Sequence, residues 1–308
     1  AACRRLTLAA SDRTPEPAAT AAGSRASEIR SRFLHFRAMT DPWRLAHDAA
    51  GTAGVRLAPL VTVEECDLIH RVEAATWGEY QLVPREMIRA LADSGNVPYG
   101  AYDGPELIGF VLGWAGVDGE GLHVHSHMLA VLPGRRHAGV GYALKLAQRA
   151  LALEQGIGVA RWTFDPLIAR NAYFNLAKLG AVVDRFERDF YGEMADLLNR
   201  GDRSHRGVIR WDLERTPGRP APEVPPDATV VVRATDAGPV VVGPAASDLA
   251  LVEVPPDIAE VRERDLEVAR AWRDALAEGF EACLGAGLEA TALDRTRSAY
   301  VFKRPDTT

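Results

Sequence analysis

The residue pattern with the clearest chemistry is a glycine-containing turn at residues 131–142, Val-Leu-Pro-Gly-Arg-Arg-His-Ala-Gly-Val-Gly-Tyr. It joins an apolar stretch to a segment with helical spacing. The N–H groups in the first turn of a helix have no partner within the helix, so together with the helix dipole they attract an anion. Gly139 and Gly141 let a diphosphate approach the backbone, while Arg135 and Arg136 add charge at the rim.

Two better-known phosphate motifs do not fit this turn. A Walker turn requires Lys and then Ser or Thr after its second glycine, but Val140 and Gly141 follow Gly139. A dinucleotide fingerprint requires a third glycine where Leu144 stands. An ordinary strand-to-helix turn, with glycines that serve packing alone, remains an alternative.

Three histidines alternate just before the turn, at His123, His125 and His127. In a strand, residues two apart share one face, so we expect three imidazoles side by side. An unperturbed pKa near ~6.5 suits proton transfer at neutral pH. A His-x-His zinc site is an alternative, but no cysteine or acidic ligand lies nearby in sequence, and we predict no metal. Buried or solvated histidines without a chemical role are the other alternative.

The elements that position these residues follow from periodicity and turn chemistry. Thr62 and Glu65 form a capping-box pattern, and Asp103-Gly104 marks a hairpin turn. The predicted order is β-α-α-β-β-β-α-β-α-β-β, an α/β fold. The predicted strands are 55–60, 97–102, 107–112, 122–132, 159–164, 181–190 and 208–213, and the predicted helices are 62–77, 84–93, 139–155 and 169–179. In the C-terminal segment, the predicted strands are 230–232, 249–254 and 299–303, and one long helix is predicted over 258–284.

This order and the turn together resemble the GNAT superfamily of acyl-CoA-dependent N-acyltransferases. The resemblance covers about Val55 to Leu213 and rests on three strings, Met128-Leu129-Ala130-Val131, Arg136-x-x-Gly139-x-Gly141 and Lys178-Leu179-Gly180-Ala181. It implies a mixed, splayed central sheet flanked by helices. Strand 122–131 is expected to separate from strand 159–164, with pantetheine in the cleft between them.

The resemblance also implies which residues hold the co-substrate, acetyl-CoA or succinyl-CoA. Backbone groups of Leu129 and Val131 are expected to bind the pantetheine arm, and the pyrophosphate is expected on the turn. Asn171 and Asn175, four residues apart in a helix, are candidates for the pantetheine amides, with capping and solvation as the alternative. The remaining cofactor-binding candidates are Arg135, Arg136, His137, Ala138, Gly139, Val140, Gly141, Tyr142 and Phe174.

Amide formation from a thioester needs a base for the amine and can use an acid for the departing thiolate. His125 stands where several GNAT members place a glutamate base, and His127 lies one strand step nearer the thioester, so either is a candidate. The tyrosine that often serves as the acid is replaced by Leu176. Tyr173 is the candidate substitute, with a half-buried helix aromatic as the alternative.

Three charged residues are candidates for substrate recognition. Asp165, at the end of a strand, is expected to attract the ammonium of the acceptor. Arg161 and Arg170 are expected to recognise a carboxylate on the acceptor or on the acyl donor. Solvated arginines without such a role are the alternative.

More particular strings resemble a GNAT subgroup with a C-terminal extension, similar to amino-acid N-succinyltransferases paired with N-acylamino-acid racemases. These strings are His125 to Leu129, Trp162 to Leu167 and Asn171 to Asn175. The resemblance implies a small-molecule amine as substrate, an amino acid above all. A protein or antibiotic acetyltransferase is the alternative enzyme, and a CoA-binding sensor or scaffold without efficient catalysis, favoured by Leu176, is the alternative of another class.

Four segments are expected along the chain. Residues 1–51 are a disordered leader and lead-in, and residues 52–214 form the acyltransferase domain. Residues 215–227, with five prolines, are a semi-rigid linker, and residues 228–308 form a C-terminal α+β extension. The leader holds seven arginines and no lysine up to residue 38, which also suits a transit peptide; an upstream extension with a natural start at Met39 is the favoured interpretation.

Overall composition narrows the function classes. The net charge of -6 and pI near 5.8 disfavour a nucleic-acid partner. No apolar run approaches the ~18 to 20 residues of a membrane span, so no membrane partner is expected. Three scattered cysteines exclude a disulfide framework and favour a reducing cytoplasm. A homodimer is the expected assembly, because GNAT members are often dimers.

Overall fold

One mixed sheet of twelve strands organises the protein, for which a computed structural model describes residues 41–79, 82–136, 138–194 and 202–305. Its spatial order is β1-β2-β3-β4-β5-β7-β6-β11-β12-β10-β8-β9. The strands are β1 Arg56–Pro59, β2 Tyr99–Asp103, β3 Glu106–Asp118, β4 Gly121–Val131, β5 Val159–Phe164, β6 Val182–Glu187, β7 Arg206–Asp212, β8 Thr229–Thr235, β9 Gly238–Val241, β10 Leu249–Glu253, β11 Glu289–Asp294 and β12 Ala299–Lys303.

Helices cover both faces of this sheet. They are α1 Pro42–Ala53, α2 Val63–Trp77, α3 Arg85–Asp93, α4 Val140–Glu154, α5 Ala169–Tyr173, α6 Ile258–Arg264 and α7 Leu266–Gly285. A 3-10 turn at Pro133–Arg135 precedes α4, and a π-helical turn at Phe174–Lys178 follows α5. The predicted fold class, a mixed sheet flanked by helices with a C-terminal α+β extension, is confirmed.

Local sequence signals explain most of the element boundaries. Thr62 accepts a hydrogen bond from the Glu65 N–H, and the Glu65 carboxylate accepts one from the Thr62 N–H, so the predicted capping box starts α2. The chain then turns back at Asp103-Gly104, where Gly104 has a φ of 55°. Gly139, with a φ of 86°, adopts the left-handed conformation from which α4 begins.

Several elements were not predicted from the sequence. Helix α1 occupies residues that were expected to be an irregular lead-in, and it packs against the start of α4, where the Cβ of Ala53 lies 3.7 Å from the position a Cβ on Gly139 would take. Strands β9 and β11 were missed. The predicted long helix after residue 258 is interrupted, because Asp265 caps a second helix with its own carboxylate.

Two apolar clusters pack the sheet on its two faces. On one face, α2 and α3 contribute Cys66, Ile69 and Ile88, which pack against Phe110 of β3 and other buried residues of the sheet. The cluster on the other face includes Val140 and Leu144 of α4, packed on Ile108 and Val111. Strands β3 and β4 therefore lie between two helical layers, which holds the turn before α4 in a fixed place.

The C-terminal strands extend the same sheet and repeat the order of the preceding ones. Strands β5, β7 and β6 are spatial neighbours in that order, with β4 parallel to β5. Strands β10, β12 and β11 are ordered in the same way, with β8 parallel to β10. The two sets meet where Ala290 of β11 pairs with Val183 of β6.

The proline-rich segment between the two sets lies against the domain core. The Arg219 N–H donates to the Ala177 carbonyl at 2.9 Å, and its guanidinium donates to the Gly180 carbonyl at 3.0 Å. From Pro42 onward the chain forms one compact unit. The predicted leader up to residue 40 lies outside the described residues. In the part of the chain that the structure describes, no helix is both long and apolar enough to cross a membrane.

Candidate active site

A cleft opens where β4 and β5 separate. The two parallel strands pair only at Val124 with Ala160 and at His125 with Arg161. Beyond that point β4 continues to Val131 and β5 to Phe164 without further pairing. The splayed sheet expected from the resemblance is therefore present.

The backbone of β4 directs polar groups into this cleft. The Leu132 N–H donates to the Ile108 carbonyl at 2.8 Å, which makes Gly109–Val131 and Val111–Leu129 the non-hydrogen-bonded pairs of the β3–β4 ladder. The N–H and C=O groups of Leu129 and Val131 therefore point away from β3, toward the open edge. The Val131 carbonyl accepts a hydrogen bond from Arg136 Nε at 3.1 Å, so it is already partnered.

The turn before α4 presents free N–H groups beside the cleft. The first helical hydrogen bond runs from the Ala143 N–H to the Gly139 carbonyl, and no side chain caps the helix. Among the described residues, no backbone carbonyl accepts from the N–H groups of Val140, Gly141 or Tyr142. The N–H groups of this first turn and the dipole of a fifteen-residue helix together favour an anion at the helix N-terminus.

The side chains of the turn leave this position open. Ala138 and Gly139 are exposed, and a Cβ on Gly134 would meet no atom within 4 Å. The Arg135 guanidinium forms an ion pair with Asp103 at 2.5 Å, so it is held against the β2–β3 hairpin. Arg136 is partly buried by its bond to the backbone. His137, a predicted cofactor ligand, lies outside the described residues.

Three rings gather on the face of the sheet opposite α4. Trp114 of β3 lies 5.0 Å from the His125 ring and 4.9 Å from the His127 ring, centroid to centroid. Burial lowers the pKa of His125 to about 4, with smaller contributions from His127, His123 and Lys145. Desolvation also lowers the pKa of His127. Both imidazoles are therefore neutral at pH 7, and the expected unperturbed pKa of ~6.5 is wrong for this site.

The third histidine has a different surrounding. His123 packs over Gly116, and its Nδ1 lies 3.7 Å from the Asp118 carboxylate. Within the described residues, no group of three or more His, Cys, Asp or Glu side chains is arranged to hold a metal ion.

Two predicted substrate-binding residues are already engaged. Arg161 is 5% exposed and pairs with the carboxylates of Glu120 and Asp184. Both oxygens of Asp165 accept from the Arg273 guanidinium, at 2.6 and 3.0 Å. Each of these two residues therefore satisfies its charge within the protein, and a role for Arg161 or Asp165 in substrate recognition stays a prediction. Arg170 is exposed and stays a candidate.

The helix after β5 differs from the expected arrangement. Its second half is a π-helical turn, in which the Leu179 N–H donates to the Phe174 carbonyl. Asn171 is exposed whereas Asn175 is buried, so the two amides do not share one environment. Phe174 is half-buried.

Among the described residues, the ring of Tyr173, the predicted acid, makes its contacts with charged side chains and not with the histidines. Tyr173 lies beside Lys178 and under the Arg295 guanidinium, which is 5.0 Å from the ring centroid in the β11–β12 turn. Leu176, at the position that often carries tyrosine, is completely buried.

Two features of this region were not predicted from the sequence. Arg273 of α7 also binds Asp202 at 2.7 Å, and the Tyr300 hydroxyl donates to the Pro166 carbonyl at 2.6 Å, so the C-terminal strands and helix hold the segment after β5. Lys145 of α4 is the other, buried directly behind the point where the strands separate. The available signal was a lysine within a helical segment made mostly of alanine and leucine.

Comparison with known proteins identifies the domain that carries this cleft. Residues 65–176 match the family model described as the acetyltransferase (GNAT) family. The chain therefore contains a GNAT acetyltransferase domain, and the class of enzyme is an acyl-CoA-dependent N-acyltransferase. No curated protein matches the sequence.

Solved structures with some similarity are also acetyltransferases. One is a putative GNAT acetyltransferase of Desulfovibrio desulfuricans, 18% identical, with a TM-score of 0.40 over 52% of this chain and 99% of that one. Another is the ribosomal-protein-S18-alanine N-acetyltransferase of Escherichia coli, 12% identical, with a TM-score of 0.42 over 53% and 96%. A third is an aminoglycoside acetyltransferase from an uncultured soil sample, 14% identical, with a TM-score of 0.35 over 38% and 82%.

Proposed function

We propose that this protein transfers an acetyl or succinyl group from acyl-CoA to the primary amine of a small metabolite, an amino acid, by direct attack in a ternary complex. The observation that carries the proposal is one juxtaposition. Strands β4 and β5 separate beside a helix N-terminus whose first three N–H groups have no backbone acceptor among the described residues, and neutral imidazoles lie on β4 at the point of separation.

The donor site follows from this arrangement. A pyrophosphate bound to the N–H groups of Val140, Gly141 and Tyr142 leaves the pantetheine arm free to run along the open edge of β4. There the Leu129 N–H and C=O groups supply hydrogen bonds of the strand type. No metal takes part in this proposal.

The acceptor amine enters on the face that carries Trp114, His125 and His127. An ammonium must lose a proton before it attacks the thioester carbon, and a neutral imidazole has a free nitrogen lone pair for it. Because burial holds the pKa of His125 near 4, its affinity for a proton is low, so the base contributes modestly to the rate. Arg170 is the remaining candidate for an acceptor carboxylate.

A CoA-binding sensor is the second candidate function, and Leu176 favours it. A buried leucine cannot protonate a thiolate, and the Tyr173 ring is in contact with the C-terminal strands. A sensor would bind acyl-CoA and would release no thiol when amines are added.

The segments take separate roles in this proposal. Residues 52–214 supply the donor site and the histidines, and residues 228–308 brace the segment after β5 across the linker at 215–227. Arg273 of the extension carries this bracing, because its guanidinium binds the carboxylates of Asp165 and Asp202, both of which precede the linker.

The experiment has two stages. Thermal unfolding with CoA, acetyl-CoA and succinyl-CoA tests the donor site, since a ligand of the native state raises the unfolding temperature. Mass spectrometry of products from a mixed pool of acyl-CoA and amino acids then tests transfer. Acylated amino acid and free CoA in equal amounts are the expected result; binding without thiol release would favour the sensor, and no CoA binding would refute both.

A further inference from the structure

A buried lysine lies directly behind the end of the cleft. Lys145 is 2% exposed and donates to the Ser126 hydroxyl oxygen at 2.8 Å and to Gln148 Oε1 at 3.3 Å. Its Nζ also lies 3.6 Å from the centroid of the Trp162 ring. Two oxygens and one ring face thus surround an amine that has three N–H hydrogens to donate as an ammonium.

Lys145 and its partners lie at the end of the cleft where β4 and β5 come together. Ser126 and Trp162 are the first residues after the last β4–β5 pair, His125 with Arg161. Gly141 and Lys145 are four residues apart on one face of α4, so the lysine lies behind the same cleft that the free N–H groups open onto. Ser126 is five strand residues, roughly 16 Å, from Val131 at the turn, which an extended pantetheine arm can span.

The hydrogen-bond pattern leaves one donor unused. Because Lys145 donates to Ser126 Oγ, the hydroxyl hydrogen of Ser126 must point elsewhere. Among the described residues no acceptor receives it, although the side chain is 6% exposed. A buried hydroxyl of this kind needs an acceptor, and the sulfur of a bound thioester would lie nearest to it. Gly113 contributes to this arrangement, since a Cβ there would lie 2.7 Å from Gln148 Nε2.

We propose that the Ser126 hydroxyl donates a hydrogen bond to the departing CoA thiolate and that Lys145 is the positioning residue that orients it. The inference rests on the proposed function, since it requires acyl-CoA in the cleft. As the amine nitrogen bonds to the acyl carbon, the C–S bond breaks and its electron pair stays on sulfur. The Ser126 hydrogen bond stabilises that thiolate, while the amine proton leaves to an imidazole or to water.

This arrangement supplies what the missing tyrosine does not. Leu176 offers no proton to sulfur, whereas a hydrogen bond to a thiolate requires no proton transfer. His125 lies across the sheet from Lys145, and its neutral form adds no charge at pH 7. On α4 itself, the buried Arg149 is four residues from Lys145. Burial lowers the pKa of Lys145 well below its ordinary value, so its role here is to hold the Ser126 hydroxyl oxygen by the hydrogen bond rather than to supply charge.

The test measures the pKa of the thiol of bound CoA from its thiolate ultraviolet absorbance, in complexes with saturating CoA. We expect a thiol pKa below that of free CoA for the wild-type protein. In S126A and K145M it should rise by about one to two units, with kcat for acyl transfer reduced about 10- to 100-fold and the KM for acyl-CoA nearly unchanged. S126T keeps the hydroxyl, so its bound-CoA thiol pKa and its kcat should both lie close to the wild-type values.

The control variant is S94A, whose hydroxyl donates to the Leu91 carbonyl at an exposed position far from this cleft in sequence. It should match the wild type in both measurements. If S126A bound CoA with an unchanged thiol pKa and unchanged kcat, this inference would be wrong and the proposed function would stand. If the wild type bound no CoA, the proposed function itself would fail. Circular dichroism checks that K145M is folded. If K145M does not fold, the thiol pKa and kcat of S126A alone test the inference.

Discussion

Replacing Gly141 by alanine separates the stability of the turn from its proposed binding function. Gly141 is the second residue of α4, and its φ is not in the left-handed region. A Cβ there would lie 3.7 Å from Leu129 Cδ2 and 4.0 Å from Val131 Cγ2, which is ordinary van der Waals contact. The fold therefore accommodates the added methyl group, and the methyl group projects toward the open edge of β4.

The expected effects have opposite signs. Alanine favours a helix over glycine by about 0.5–1 kcal/mol, so the unfolding temperature of G141A should rise by about 1–3 °C. A methyl group next to the N–H groups should hinder the close approach of a pyrophosphate and lengthen one charge-assisted hydrogen bond, at about 1.5–3 kcal/mol. CoA should therefore bind about 10- to 100-fold more weakly.

The assay combines thermal unfolding without ligand and calorimetric titration with CoA. Gly51 supplies the matched control, because it lies in α1 and a Cβ there would meet no atom within 4 Å. G51A should gain similar stability and bind CoA like the wild type. A G141A protein that is more stable and binds CoA with unchanged affinity would refute the placement of the pyrophosphate on this turn.

Three further outcomes follow from the charges. R273M should lose about 3 kcal/mol or more of unfolding free energy in urea, since it leaves the partly buried Asp165 carboxylate without its arginine partner. R188M, which breaks an exposed ion pair between the turn after β6 and Glu281 of α7, should lose less than about 1 kcal/mol. H125N should lower kcat about 10- to 100-fold with an unchanged Kd for CoA. If H125N and H127N both turned over as fast as the wild type from pH 6 to 8, an imidazole base would be excluded. The pKa of His125 is about 4 in the folded state and near ~6.5 in the unfolded state, so the unfolded state binds more protons below pH ~6.5. The free energy of unfolding of the wild type should therefore fall as the pH is lowered from 6.5 to 4, by about 1–2 kcal/mol from this group after allowance for solvent screening. In urea titrations, H125N should show a weaker dependence of this free energy on pH.

The sequence predicts those parts of the fold that local patterns determine. The capping box at Thr62, the hairpin at Asp103-Gly104 and the strand at 159–164 all agree with the structure, because each depends on neighbouring residues. Helix α1 was missed; in the structure it is held by packing on α4.

The candidate site was predictable only in its backbone. Glycine spacing and element order located the turn and the cleft, but long-range pairing decided the side chains. Asp165 is engaged by an arginine 108 residues away in sequence, which no local pattern can indicate. In the same way, the low pKa of His125 depends on burial that only the packed sheet creates.

The most direct test of the account is the response of three backbone amides to CoA. In a two-dimensional ¹H–¹⁵N NMR titration of the full chain, the N–H signals of Val140, Gly141 and Tyr142 should move the most as they bind the pyrophosphate, and pantetheine lacking phosphate should leave them in place. If CoA bound to saturation while these three signals stayed where they were, the diphosphate would lie elsewhere and the site described for acyl transfer would be wrong.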